Sequence, residues 1–394
     1  MNRPRLIVID DEPDIAGFIC DVAEQIGFVT EQFNYAGLFK DHYNGYADVI
    51  VLDLMMPGVD GVEVIRFLSE IGCNARLILI SGFDPGVLHS AQQLAAEQGL
   101  NVAGSLSKPF RYDALYQLLS GLSITPKSLA RPVSTEPPSA GELREALDHD
   151  ELMVYYQPKV GLNGDCLVAV EALVRWKHPN RGLLGPDLFI PTAEQYDLID
   201  DLTWVVLEQV MTQCRCWHDQ GLTIQVAVNM SAHTLKELEL PEKMGTLVQR
   251  YNLEPSQIIL EVTETTLMQE LAKSLDILTR LRMKGFHLSI DDFGTGYSSL
   301  VQLYRVPFSE IKIDRSFVME MVNDPEAATI VETIILLGHK LNMRIVAEGV
   351  ETASCRERLA RLACDQAQGY LFARPMPGDE VFAWFSQHSN PERG

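Results

Sequence analysis

Two groups of residues have the types and spacing to do chemistry at phosphorus. In the first third of the chain, Asp10, Asp11 and Glu12 follow one apolar run, Asp53 ends a second, Ser81 ends a third, and Lys108 follows a fourth. Three aspartates meeting at one place repel each other unless a divalent cation sits among them, and hard oxygen donors suit magnesium. A lysine opposite would complete a site for a phosphoryl group, and the Ser81 hydroxyl could hydrogen-bond a phosphate oxygen. The second group is Glu171, Asn229, Glu261, the pair Asp291 and Asp292, Lys312 with Asp314, Glu348 with Glu351, and Gln368. Each stands beside a strand-like run. If those strands share one rim, their carboxylates need divalent cations to offset the repulsion. Two carboxylates in sequence could ligate two neighbouring ions, and ions ~3.5–4 Å apart clamp an in-line displacement at phosphorus. An oxygen-rich set with no matched His or Cys favours magnesium or manganese over zinc. Singly, each feature has an ordinary explanation: a solvated Asp-Asp turn, a helical Glu-Ala-Leu, an edge-strand lysine that deters aggregation. The joint pattern is far more specific.

The elements that must position these residues are legible in the apolar runs. Leu6–Ile9, Val49–Leu52, Leu77–Ile80 and Val102–Leu106 read as buried strands, separated by helical patterns such as Ile15–Ile26 and Val62–Ile71. Strand alternating with helix predicts a doubly wound parallel sheet, whose ligands sit at the carboxyl ends of the strands. Residues 123–139, with Pro126, Pro132, Pro137 and Pro138 among serines and threonines, predict a linker. Ser139 and Glu142 then have capping-box spacing, so a helix opens the next domain. Over residues 140–390, strand-like runs recur at Met153–Tyr156, Leu167–Val170, Ile224–Val228, Ile258–Val262, Leu288–Ile290, Ile311–Ile313, Ile345–Val346 and Tyr370–Phe372. Helical patterns, among them Leu202–Gln213 and Ile330–Leu341, lie between most of them. Roughly 250 residues of such alternation predict a closed (β/α)8 barrel, with chemistry at the C-terminal ends of its strands.

Composition narrows the class. The chain has 394 residues, 54 of them acidic and 32 basic, for a net charge of -22. That balance excludes a nucleic-acid polymer as partner and excludes electrostatic attachment to anionic lipid. No stretch reaches the ~18 apolar residues of a membrane span, so no membrane insertion and a cytoplasmic location are expected. The seven cysteines, odd in number and scattered, read as reduced thiols.

The first segment, residues 1–122, resembles the receiver domain of two-component response regulators. The resemblance rests on Asp10-Asp-Glu-Pro, on the turn Asp53-Leu-Met-Met-Pro57-Gly-Val-Asp-Gly61, and on Lys108-Pro-Phe. It implies a flavodoxin-like fold and Asp53 as phosphoacceptor, giving an acyl phosphate. Asp10 and Asp11 would surround a magnesium ion, with Ser81 and Lys108 on the phosphate. A sensor histidine kinase or other phosphodonor is the implied partner. One departure stands out: receivers commonly carry an aromatic switch residue three positions before the lysine, where this chain has Ser105.

Residues 140–390 resemble the EAL family of cyclic-di-GMP phosphodiesterases. The motifs are Tyr156-Gln-Pro158, Glu171-Ala-Leu-Val-Arg-Trp176, Val228-Asn-Met-Ser231, Glu261-Val-Thr-Glu264, Asp291-Asp-Phe-Gly-Thr-Gly-Tyr-Ser-Ser-Leu300, Lys312-Ile-Asp-Arg315, Ala347-Glu-Gly-Val-Glu351 and Gln368-Gly-Tyr-Leu-Phe-Ala-Arg-Pro375. The family implies a modified barrel with one strand antiparallel. It also implies hydrolysis of cyclic-di-GMP to linear 5'-pGpG by a metal-activated water. Glu171, Asn229, Glu261 and Asp291 would hold one magnesium or manganese ion, and Asp291, Asp292 and Glu348 a second. Lys312 would sit near the water, giving Lys312, Glu348 and Glu171 catalytic roles. Gln157, Leu173, Arg175, Asp314, Glu351 and Gln368 would line the substrate, and Glu264 would anchor a loop at Asp292–Leu300. Phosphorylation of the receiver is expected to modulate activity, and a homo-oligomer, dimer or higher, is expected. The alternative is a non-catalytic cyclic-di-GMP receptor or scaffold, which needs contacts like that of Arg175 but not Asp292 or Lys312.

Overall fold

The computed structural model describes residues 3–43, 45–82, 85–122, 137–164, 166–263, 266, 271–294 and 300–388. Most of the expected linker, at 123–136, the expected loop anchor Glu264, and the expected barrel end at 390 lie outside these residues. The chain divides into two compact units, Met1–Arg131 and Pro132–Gly394.

The first unit is a five-stranded sheet in the order β2-β1-β3-β4-β5, with β1 at Arg5–Ile9, β2 at Val29–Phe33, β3 at Val49–Asp53, β4 at Arg76–Ser81 and β5 at Asn101–Ser107. All four pairings are parallel. Helices intervene, and separate apolar clusters lie against the sheet, one built on Ile7, Ile9, Ile50 and Leu52, the other on Leu6, Val8, Val49 and Val51. Successive residues feed opposite clusters, as strands buried on both faces require. The apolar runs gave β1, β3, β4 and β5, but not β2. Val29–Phe33 is an edge strand with no fully buried residue, so its polar sequence Val-Thr-Glu-Gln-Phe shows no run. The turn after Asp53 depends on Gly61, where a Cβ would come within 2.6 Å of the Leu54 Cα. Asp60 then caps the helix Gly61–Glu70, accepting from the Glu63 amide at 2.9 Å.

The second unit opens with the helix Ala140–Asp148, begun by the Ser139–Glu142 capping box. Among the described residues ten strands follow: β6 Leu152–Gly161, β7 Cys166–His178, β8 Gly182–Leu184, β9 Gln225–Asn229, β10 Ile258–Thr263, β11 His287–Phe293, β12 Glu310–Ile313, β13 Arg344–Ala347, β14 Gln366–Ala367 and β15 Met376–Pro377. The sheet closes on itself in the order β6-β7-β9-β10-β11-β12-β13-β14 and back to β6, a barrel of eight strands. Strand β6 is antiparallel to both neighbours, and the other ring pairings are parallel. This is the modified (β/α)8 barrel. The helices pack their apolar stripes on its outside, where Trp176, Phe189, Trp217 and Phe286 are buried.

One strand assignment needs correction. Tyr370–Phe372 is a turn, closed by the Phe372 amide on the Gly369 carbonyl, and the eighth ring strand is the two-residue β14 before it. The apolar run there reflects packing of Phe372 on the outer core, while Tyr370 is half exposed. Gln368 therefore follows the strand, at its carboxyl end. Among the described residues no helix is long and apolar enough to cross a membrane, and all seven cysteines are free thiols.

Candidate active site

Register decides which side chains reach the barrel rim. Asn229 and Glu261 are partners across β9 and β10, Thr263 and Asp291 across β10 and β11, and Gln157 and Glu171 across β6 and β7. Strand alternation should send Asp291 and Asp292 to opposite faces. It does not, because β11 breaks register against β12 between Ile290 and Phe293, and Asp292 adopts φ 52°. This bulge re-aims one carboxylate. Asp291, Asp292 and Glu348 then offer oxygens that all lie within 4.8 Å of one another.

Lys312 stands at the centre. Its Nζ lies 2.7 Å from Glu348, 3.0 Å from Asp291, 3.0 Å from Glu261 and 3.6 Å from Glu171, and the side chain is 1% exposed. Glu171 Oε1 accepts from Asn229 at 3.1 Å, and its Oε2 accepts from Gln368 at 2.6 Å. Gln368 also donates to Gln157 Oε1 at 2.9 Å, and Gln157 donates to the Ala373 carbonyl at 3.1 Å. Gly369 lets this segment pass the rim loop, since a Cβ there would meet the Val350 amide nitrogen at 2.3 Å.

Crowding shifts the acids apart. Burial pushes Glu348 up to about 8, with Asp291 and Glu171 adding to the rise against the pull of Lys312. Burial also raises Glu171, again against Lys312. Asp292 rises to about 6 through burial and then the Asp291 and Asp314 carboxylates. Glu261 goes the other way, to about 2: its burial cost is outweighed by the ammonium groups of Lys159 and Lys312. Such splitting of buried acids is characteristic of functional sites. The donor set is all oxygen, crowded, and only partly balanced by Lys312, so it fits hard divalent cations. Asp291, Asp292 and Glu348 are the residues best placed to share one.

Two clefts flank this rim. One, of about 600 Å³, is lined by Gln157, Leu173, Arg315, Glu351, Gln368 and Tyr370 as well as by Glu171, Asp291, Lys312 and Glu348. The other, of about 500 Å³, is lined by Pro186, Asp187, Ile190, Met230 and Ser231 with Asn229, Asp291 and Asp292. Leu173 and Asp291 belong to both. Arg175 and Asp314 are not among the described lining residues. The Arg175 guanidinium donates to the Val174 carbonyl at 2.8 Å, and Asp314 caps the helix Arg315–Glu320 through the Ser316 amide at 2.9 Å.

Sequence reasoning missed Lys159 and Glu310, both fully buried and ion-paired at 3.3 Å, and it missed the cleft residues Arg315, Met319 and Tyr370. The signal for Lys159 was there: a lysine two residues after Gln157 shares its face of the strand.

In the first unit, β1, β3 and β5 deliver Asp10, Asp53 and Lys108 to one edge. Lys108 Nζ lies 2.6 Å from Asp53, 3.0 Å from Asp10 and 2.9 Å from Glu12. Asp10, Asp11 and Asp53 offer oxygens within 4.8 Å of one another. Burial raises Asp10, opposed by the Glu12 amide and Lys108. Asp10 is buried, and its Oδ2 is the oxygen that lies 3.0 Å from Lys108 Nζ. Ser81 is buried at the end of β4, next to β5, and Ser105 lies in β5 opposite Leu79.

Two family models match: the EAL domain over residues 140–375, and the response regulator receiver domain over residues 6–120. The chain belongs to the EAL domain family. Its EAL barrel follows a receiver domain. The chain is 39% identical over 334 residues to the cyclic di-GMP phosphodiesterase RocR of Pseudomonas aeruginosa, covering 84% of this chain and 85% of RocR. It is 46% identical to the bifunctional diguanylate cyclase/cyclic di-GMP phosphodiesterase MucR of the same organism, over 61% of this chain but only 36% of MucR. A solved complex of the MucR phosphodiesterase with c-di-GMP matches the EAL barrel with a TM-score of 0.59, covering 61% of this chain and 98% of that one.

Proposed function

We propose that the EAL barrel hydrolyses cyclic di-GMP to linear 5'-pGpG, and that phosphorylation of Asp53 in the receiver modulates the rate. The observation that carries this reading is the set of rim carboxylates from separate strands around Lys312, beside a cleft large enough for a nucleotide. The names of RocR and MucR support the substrate.

Glu171, Asn229, Glu261 and Asp291 would hold one divalent cation, and Asp291, Asp292 and Glu348 another. Bound there, magnesium or manganese supplies Lewis acidity and lowers the pKa of a coordinated water. The Lys312 ammonium, already in contact with Glu261, Asp291 and Glu348, orients the reacting water and offsets negative charge that builds on the phosphate oxygens. Gln157 and Gln368 brace each other and fix Glu171. Among the described residues no group donates to the buried Gln368 Oε1, which leaves it an acceptor for a substrate N–H. Leu173 offers an apolar face for a base and Glu351 a polar contact at the rim, and Arg175 would reach the substrate only by leaving its bond to the Val174 carbonyl. In the receiver, an Asp53 carboxylate oxygen would bond to the phosphorus of a phosphodonor as the phosphorus–donor bond breaks and the donor group leaves with its electron pair; Lys108 would neutralise the phosphoryl oxygens, and Asp10 and Asp11 would hold magnesium.

The test is incubation of the purified protein with cyclic di-GMP and magnesium or manganese, followed by chromatography of the nucleotide. Conversion to the linear dinucleotide is expected. Tight binding without conversion would refute the enzyme and leave a receptor.

A further inference from the structure

The lumen of this barrel carries charge where such barrels usually carry branched apolar side chains. Glu261, Ser289, Glu310 and Arg344 stand at one level on four consecutive strands. Lys159 enters from β6. Because β6 runs antiparallel, each step along it leads away from the rim, and Lys159 lies two residues, roughly 7 Å, below Gln157. Ala169 and Ala227, which form a buried cluster with Ile259 apart from the outer core, leave it room. The Lys159 side chain is fully buried, and its Nζ donates to Glu261 Oε1 at 2.7 Å and to Glu310 Oε1 at 3.3 Å. Glu261 Oε2 accepts instead from Lys312 at 3.0 Å. The two oxygens of one carboxylate are thus divided between an ammonium in the lumen and another at the rim. Among the described residues Glu171 accepts no hydrogen bond from the lumen ammonium and is fixed by the amides of Asn229 and Gln368.

We propose that Lys159 is a positioning residue for the cation site, holding Glu261 by Oε1 so that Oε2 alone faces the rim. This rests on the reading that Glu261 is a cation ligand. A carboxylate gripped in this way meets a cation through one oxygen in a fixed direction. Released, it loses that direction, and outer partners of metal ligands typically govern affinity by about 10–100-fold. Lys159 is not among the described residues that line either cleft, so its effect is on the cation and not on nucleotide binding.

The experiment titrates Mn(II) alone into the full-length protein by calorimetry. Removing Lys159 alone would leave Glu261 and Glu310 facing each other with no ammonium between them, so the charge-balanced pair Lys159→Met with Glu310→Gln is used. Its affinity for Mn(II) is expected to fall about 10–100-fold, while the KM for cyclic di-GMP at saturating Mn(II) stays within about twofold. Glu310→Gln alone, which keeps the Lys159–Glu261 bond, is expected to bind Mn(II) like the wild type. Unchanged affinity in the double variant, or equal loss in Glu310→Gln alone, overturns the proposal. If the double variant does not fold, Lys159→Gln with Glu310→Gln replaces it, with a weaker loss expected and unchanged affinity again decisive against. Failure of the wild type to take up Mn(II) would instead refute the cation reading itself.

Discussion

Glu348→Gln should separate catalysis from stability in opposite directions. In the cation-free protein, burial and the neighbouring acids hold Glu348 near 8, against 4.5 for the ordinary carboxyl. A carboxyl raised on folding contributes its full stability below the unfolded value, and loses it as pH climbs through the folded one. The window is therefore pH 4.5 to about 8, with stability falling as pH rises. At ~1.4 kcal/mol per unit, the ionised carboxylate costs the folded state on the order of 5 kcal/mol above that window. For a domain of this size that is roughly 10 °C in Tm. Glu348→Gln cannot ionise, so with a chelator present its Tm should exceed that of the wild type by an amount that grows between pH 6 and pH 9. Adding Mn(II) should reverse the order, because the wild type gains binding energy that the variant lacks. Hydrolysis should be lost. Scanning calorimetry across pH, with and without cation, reads all of this. A Tm difference that stays flat with pH would refute the argument that crowding at the rim disfavours ionised Glu348.

Glu171→Ala should abolish hydrolysis while circular dichroism and Tm stay near wild type; undiminished turnover would remove Glu171 from the site. Asp53→Asn should make the rate indifferent to a small-molecule phosphodonor to which the wild type responds, and identical behaviour of the two would end the regulatory reading. Tyr370→Ala, at a half-exposed position lining the larger cleft, should raise KM several-fold with little change in kcat, as measured by initial rates. Lys312→Met should lower kcat at least a hundredfold at saturating cation, on the scale of losing one electrostatic stabiliser.

Most of the architecture was written in local pattern. Continuous apolar runs betray strands buried on both faces, which is why β1, β3, β4 and β5 of the receiver were visible. The edge strand Val29–Phe33 buries little and left no such trace. The barrel strands were visible except the last, where β14 has only two residues and a nearby apolar turn masqueraded as a strand. The reversal of β6 could not be read from periodicity, since a strand's pattern is the same in either direction; only the family resemblance implied it. The rim acids announced themselves by standing at run ends. Lys159 shares the strand face of Gln157, but a single lysine inside a strand usually marks a solvent-facing edge, and only closure of the barrel turns that face inward.

The bulge at Asp291 and Asp292 has a genetic corollary. Deleting either codon would heal β11 into regular alternation and leave only one acid at the mouth. The sheet would lose a kink and keep its pairing, so the edit should be structurally mild. One three-base lesion is therefore expected to remove an acid from the mouth while sparing the barrel.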